Sequence, residues 1–285
     1  MLFKKQLGEI QLCQIKTVMI NELENRRKKL LNKLFITGGS FSLVFLFGVF
    51  KLVENPTISS RVTPLLFLFF IYIFVIFSLK FGIKNSFIKE LNETIFEAIG
   101  IKDIKFSRDS RKLKKVVLNF SKSNSGFLIT NDEFSGILSD VKFKICDGEL
   151  WFGTVKFKGK IFNARLKKEF DSKVLITNLG IISAKNLEEI KLDSVKFSQN
   201  FKVFSSDLTK AFYILNPVFI ERLESLVGDK KADILLYKDE ILIILDNKID
   251  SLEPNLFKKI TSLDTQEFTD QIQSFEKLIK FLRLS

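Results

Sequence analysis

Two apolar runs close to the N-terminus constrain this chain more than any other feature. Leu34 to Phe50 carries no charged residue, and neither does Val62 to Leu79. Each is roughly 17–18 residues long, at the short end of the ~17–25 residues that an α-helix needs to cross about 30 Å of hydrocarbon. Lys51 can lay its stem along apolar surface and keep its ammonium in water, which extends the first run to Val53. The second run is almost entirely Leu, Ile, Phe and Val, the residues whose insertion into a bilayer is favourable. A loop with Asn55-Pro56 separates the two, as in a helical hairpin. The first run begins too late for the apolar core of an ordinary signal peptide, and no small-x-small cleavage pattern follows it.

Orientation follows from the cations. Arg26, Arg27, Lys28, Lys29 and Lys33 precede the first run, and Lys80, Lys84 and Lys89 follow the second, against only Lys51 and Arg61 between them. Basic flanks stay on the cytoplasmic side, so both termini are expected there. Within the first run Gly38 and Ser42 form a small-xxx-small pair, which permits close helix contact.

The segments flanking the hairpin keep a helical period. Ile20, Leu23, Leu30 and Leu34 mark one stripe, and Phe87, Ile88, Leu91, Ile95 and Ile99 mark another that stops at Gly100. The expected layout is a cytoplasmic amphipathic helix over 1–33, membrane helices over 34–53 and 62–79, an external loop over 54–61, a helical stalk over 80–100 and a cytoplasmic domain over 101–285. The two cytoplasmic helical segments are expected to pack together.

Beyond Lys115 the period changes to two. Val141, Phe143 and Ile145 alternate with Lys142 and Lys144, and Trp151, Gly153, Val155 and Phe157 continue the pattern around an Asp147-Gly148 turn signal. Lys160 to Leu166, Lys173 to Thr177 and Asn200 to Phe204 read as further strands. A helix capped by Ser206 or Asp207 should run to about Leu215. Asn216-Pro217 should open another, with Phe219, Ile220, Leu223 and Leu226 inside and Gly228 at its end. The stretch from Ala232 to Asn247 reads as a hairpin turning at Lys238-Asp239. Thr265 to Leu284 reads as an amphipathic helix with Phe268, Ile272, Phe275, Leu278, Ile279 and Leu282 on one side. Strands and helices in blocks predict an α+β fold with a mainly antiparallel sheet packed with helices.

Two stretches resemble a bacterial family called domain of unknown function 3137. They are FKGKIFNARLKKEF (157–170) and DSVKFSQNFKVFSSDLTKAFYILNPVFIERL (193–223). Phe157, Gly159 and Phe162 carry the first match; Phe201, Val203, Asp207, Ala211, Leu215, Pro217 and Leu223 carry the second. The resemblance spans roughly residues 100–260. It implies paired N-terminal spans, a cytoplasmic α+β region and an association with the cell envelope, and it implies no catalytic residue. The matching positions are expected to be structural.

The chemistry is constrained mainly by what is missing. The chain has no histidine, which removes Ser-His-Asp and Cys-His catalysis and histidine metal sites. Its two cysteines, Cys13 and Cys146, form no paired motif. No phosphate-binding glycine loop or calcium loop is present, and no cofactor is expected. Ser86-Lys89, Ser139-Lys142 and Ser274-Lys277 have the spacing of a Ser-Lys dyad, as many matches as chance allows in a chain this rich in Ser and Lys. Asp207 is expected as a helix cap, Tyr213 as a core aromatic, and Glu188 and Glu189 as solvated loop residues.

The formal charge is +12, and its densest concentration is a segment just past the stalk. Lys102, Lys105, Arg108, Arg111, Lys112, Lys114 and Lys115 face only Asp103 and Asp109. These cations are candidate contacts for anionic lipid or an acidic partner, set against a plain solvated linker. With Phe106 as the segment's one aromatic, it lacks the stacking platform of a nucleic-acid binder. The chain therefore reads as a membrane-anchored module that binds a protein or anionic-lipid partner at the inner face. The other reading is an enzyme acting on a membrane-linked substrate through Asp and Glu residues.

Overall fold

The computed structural model describes residues 2–54, 62–122, 127–152, 155–192, 194–247, 257, 259 and 262–284. The loop with Asn55-Pro56 and the Gly153 position lie outside the described residues. The chain divides into two compact units, one of residues 1–94 with 254–264 and one of residues 95–253 with 265–285.

The first unit is built on two long helices, α1 (Leu2–Glu54) and α2 (Val62–Ala98). Both are long and apolar enough to cross a membrane. Their large apolar side chains point outward. Phe35, Leu43, Phe47, Phe67, Phe70 and Phe74 are all more than 60% exposed, which a core helix of a water-soluble protein would not allow. The helices run antiparallel, with Phe45 stacked on Tyr72 at 4.6 Å, Gly38 opposite Ile76 and Arg26 ion-paired with Glu90. The small-xxx-small pair faces this contact. Ser42 donates to the Gly38 carbonyl at 2.8 Å and lies 2.9 Å from the Tyr72 hydroxyl. With the Ser42 proton used on Gly38, Tyr72 is the donor to Ser42, so both hydroxyls are satisfied in apolar surroundings. Nearer the basic flank, Leu23 on α1 and Phe87, Ile88 and Leu91 on α2 are buried at the predicted helical spacing.

The second unit is a seven-stranded antiparallel sheet with helices. In chain order it contains β1 (Lys102–Ser107), α3 (Arg111–Phe120), β2 (Phe127–Leu138), β3 (Val141–Phe152), β4 (Val155–Thr177) and β5 (Glu188–Ile190). These are followed by α4 (Val195–Asn200), β6 (Lys202–Ser205), α5 (Leu208–Ile214), α6 (Pro217–Val227), β7 (Lys231–Asp246) and α7 (Ser262–Leu284). The order is β1-β2-β3-β4-β6-β5, and β7 lies along the other edge of β4. β4 is 23 residues long. One of its edges pairs β3 over Val155–Arg165 and then β6 over Val174–Thr177; the other pairs β7 from Lys160 to Thr177.

The sheet buries opposite faces at its two ends, which explains a phase change the sequence shows only faintly. On one face Phe134, Phe143, Ile145 and Phe162 pack with Phe96 from the end of α2 and Phe275 of α7. Phe96 to Phe134 is 5.2 Å and Phe162 to Phe275 is 4.8 Å between ring centres. On the other face Leu128, Cys146, Leu150, Phe157, Ile161 and Leu242 form a core with Leu113 and Val117 of α3 and with Ile181 and Ile182. β3 thus changes its inward side between Ile145 and Cys146.

Two expected reversals are corrected. Asp147-Gly148 is not a turn: both residues lie mid-strand, opposite Lys160 and Gly159 on one side and Asn131 and Thr130 on the other. Glycine is there for space, because a Cβ at Gly148 would come within 2.7 Å of the Ile161 side chain. Lys238-Asp239 is not a hairpin either. Lys238 has φ +53°, and the register of β7 against β4 shifts around it, so the residue bulges one continuous strand instead of reversing it. The two strand runs expected over 160–177 are likewise one strand. Glu188 and Glu189 sit in β5 rather than a loop, and the segment expected as a linker over 101–115 is folded as β1 and the start of α3. Tyr213 is 79% exposed and not a core residue.

The helix caps form as read. Asp207 accepts from the Lys210 amide at 3.0 Å, Asn216 accepts from the Phe219 amide at 3.0 Å with Pro217 next, and Gly228 closes α6 at φ +59°. A buried acid organises the loop after β4. Asp233, fully buried in β7, accepts from the amides of Leu179, Gly180, Ile181 and Ile182 and from the Thr177 hydroxyl.

Asp233→Ala leaves these buried donors without an acceptor and is expected to destabilise the fold by about 3 kcal/mol or more, measured by chemical denaturation. Phe143→Asp should abolish folding, because it places an unpaired carboxylate among Phe96, Phe134 and Phe275. Lys144→Glu should also destabilise, by about 1–3 kcal/mol, since Lys144 neutralises buried Glu133 at 2.6 Å. Exposed Lys142→Glu should be nearly silent.

Candidate functional site

The seven cations of the basic segment are divided by the fold. Lys102 and Lys105 lie on edge strand β1, Arg108 lies in the turn that follows, and Arg111, Lys112, Lys114 and Lys115 lie on α3. α3 is amphipathic because Leu113 and Val117 bury against the sheet, which forces the intervening cations outward. Arg111, Lys114, Lys115 and Leu118 share one side of the helix at i, i+3, i+4 and i+7. With Asn119 they line an open concavity of about 440 Å3. Lys112, Lys102 and Lys105 are not part of that lining.

Asp109 organises the entry to this site. Its carboxylate takes a forked pair of hydrogen bonds from Arg111, at 2.8 Å from Nε and 2.6 Å from the terminal nitrogen, and a third from the Arg111 amide. The Arg111 side-chain bonds, then its backbone bond, hold the Asp109 carboxyl at about 2, below its ordinary value. Arg111 is thereby fixed in direction, while Lys114 and Lys115 supply point charges one turn on. Arg111 is thus already paired with a carboxylate, and the other cations of the concavity are the Lys114 and Lys115 ammonium groups.

Other chemistry finds little support in the geometry. Among the described residues no three His, Cys, Asp or Glu side chains are placed to hold a metal ion. Burial, with Asp147 nearby, pushes the Cys146 thiol well above its ordinary value, so it is a thiol packed in the core. The Ser139 hydroxyl of one Ser-Lys pair donates to Glu276 at 2.7 Å, and that of Ser86 donates to the Gly82 carbonyl.

A second concave place was not visible in the sequence. A cleft of about 210 Å3 lies between α5 and the middle of β4, lined by Lys168, Glu169, Phe170, Asp171, Ser172, Lys210, Tyr213 and Ile214. Lys210 pairs with Asp171 at 3.3 Å. Beside it Leu208, Phe212, Tyr213 and Val218 expose 42–79% of their surface. The available signal was the seven-residue helix itself: LTKAFYI is apolar on several sides, and only Ala211 is buried.

The positions that carried the family resemblance have structural surroundings. Phe157, Phe162, Val203, Ala211, Leu215 and Leu223 are buried, and Phe201 stacks on Phe197 at 5.1 Å. Gly159 is required by a close approach, because a Cβ there would collide with the Leu245 carbonyl and lie 2.8 Å from the Asn247 amide nitrogen. Asp207 and Pro217 start helices.

Neither a curated protein nor a solved structure matches the chain. A family model does match, from the start of β4 to the end of α7, and so takes in the cleft beside α5 but not α3. Residues 155–284 belong to the family described as protein of unknown function (DUF3137).

Proposed function

We propose that this chain is an integral protein of the bacterial cytoplasmic membrane, crosses it twice, and keeps both termini and the second unit on the cytoplasmic side. The observation that carries this reading is the helix pair. α1 and α2 hold each other through Ser42, Tyr72 and Phe45, yet turn their Phe, Leu and Ile side chains outward. Hydrocarbon is the solvent in which that surface is stable. The cations on the open side of the hairpin set its direction.

The second unit then acts as a docking module for an acidic protein partner through Arg111, Lys114 and Lys115.

Reporter fusions after Leu79 and at Ser285 should both report cytoplasm, and one in the Glu54–Ser60 loop should report the opposite side. A C-terminus on the outside would overturn the topology. A spin label at Arg111 in the bilayer-embedded chain should lie well beyond about 16 Å, two Debye lengths, from the headgroup plane. A label within one Debye length would make headgroups the ligand instead.

A further inference from the structure

Between its last strand and its last helix the chain returns to the first unit. Residues 254–264 belong to that unit, although β7 and most of α7 belong to the second. Phe257 marks the place of return. The Lys80 ammonium lies over its ring, 5.5 Å from the ring centre. Lys80 is the first charge after the apolar run Val62–Leu79, so Phe257 sits at the level where that run ends. A ring face attracts an ammonium while leaving N–H donors for oxygen atoms of a ligand.

The surroundings have the chemistry of a boundary between hydrocarbon and water. Phe257 is more than half exposed, and so are Phe77 and Phe81, which stack along one side of α2 with ring centres 6.4 Å apart. The outward apolar surface of α2 therefore continues past Leu79 to Phe81, with Phe257 beside the intervening Lys80. Charge here has one sign. From Val62 to Lys89, α2 carries Lys80, Lys84 and Lys89 and no acid, and residues 254–263 carry Lys258 and Lys259 and no acid. Lys259 is exposed and lies two residues from Phe257, within about 7 Å along the chain. Aromatic rings and lysines together suit a membrane interface, where rings sit at headgroup level and ammonium groups stay in water.

We propose that Lys80, Phe257 and Lys259 form a binding site for an anionic phospholipid of the cytoplasmic leaflet. Phe257 and Phe81 lie against the upper part of the acyl chains, and the two ammonium groups hold the headgroup oxygens. Two observations select this occupant. The site is continuous with the apolar surface of α2 that faces lipid, and anionic headgroups are the complementary charge at that level. The inference rests on the membrane reading of α1 and α2 and is independent of the α3 cations.

The test uses the full chain in nanodiscs of mixed phosphatidylglycerol and phosphatidylcholine, with one tryptophan as the reporter. Trp151, exposed and the chain's single tryptophan, is first removed as Trp151→Phe. In that background Phe257→Trp reports on the proposed site and Phe70→Trp on the span itself. The tryptophan at position 257 should be quenched by lipid brominated near the carbonyl end of its chains. Its association with brominated phosphatidylglycerol should exceed that with brominated phosphatidylcholine by about five- to tenfold. Adding Lys80→Gln with Lys259→Gln should bring that preference close to one. The tryptophan at position 70 should be quenched by lipid brominated toward the chain ends. Quenching at position 70 without quenching at 257, equal quenching at 257 by the two lipids, or a preference that survives the double lysine variant would overturn the proposal and leave the membrane reading standing. Absence of quenching at position 70 would overturn the membrane reading and the proposal with it.

Discussion

The pairing of β4 with β7 is the contact on which the rest of the second unit depends. β7 holds β4 from Lys160 to Thr177, and β4 offers its other edge first to β3 and then to β6. Gly159 lets the β7 backbone come close where this pairing begins. Asp233, near the start of β7, gathers the loop that follows β4 through four amides and a hydroxyl. The β4–β7 pairing therefore sets the sheet order and anchors the loop that closes one core. Buried on both faces over Ile241–Leu245, β7 reads in the sequence as an unbroken apolar run.

The helices and the sheet were legible in the sequence for different reasons and to different depths. A cap is a local device, so Asp207, Asn216-Pro217 and Gly228 marked their helix ends correctly. Turn chemistry is also local, but its meaning depends on what lies opposite. Asp147-Gly148 carries the signal of a hairpin and sits mid-strand because Ile161 leaves no room for a Cβ. Lys238 adopts a turn-like φ and bulges β7 without reversing it. Alternation identified the strands, while the change of buried face at Ile145–Cys146 depended on which end of the sheet each helix covers. That is a tertiary fact with no local signature.

The candidate surfaces were legible to a similar degree. The basic run was visible as charge, but its division into strand, turn and helix faces was not, so three of its cations form the concavity and the others do not. Nothing local marks the cleft beside α5, since a tyrosine such as Tyr213 reads as a core aromatic on its character alone and only the packing of α5 against β4 exposes it. Asp233 stood out only as an acid between Ala232 and Ile234 in an apolar stretch. A buried carboxylate in that setting is either reactive or fully hydrogen-bonded, and here both oxygens accept from backbone amides.

The proposed topology assigns the outward apolar surface of α1 and α2 to hydrocarbon and the second unit to the cytoplasm. Protease protection on membrane vesicles tests that assignment directly. In inside-out vesicles trypsin should remove the lysine-rich second unit while sparing the segment between Leu34 and Leu79, and in right-side-out vesicles the second unit should survive. Cleavage of the second unit in right-side-out vesicles, or release of the intact chain by alkaline wash, would contradict the account.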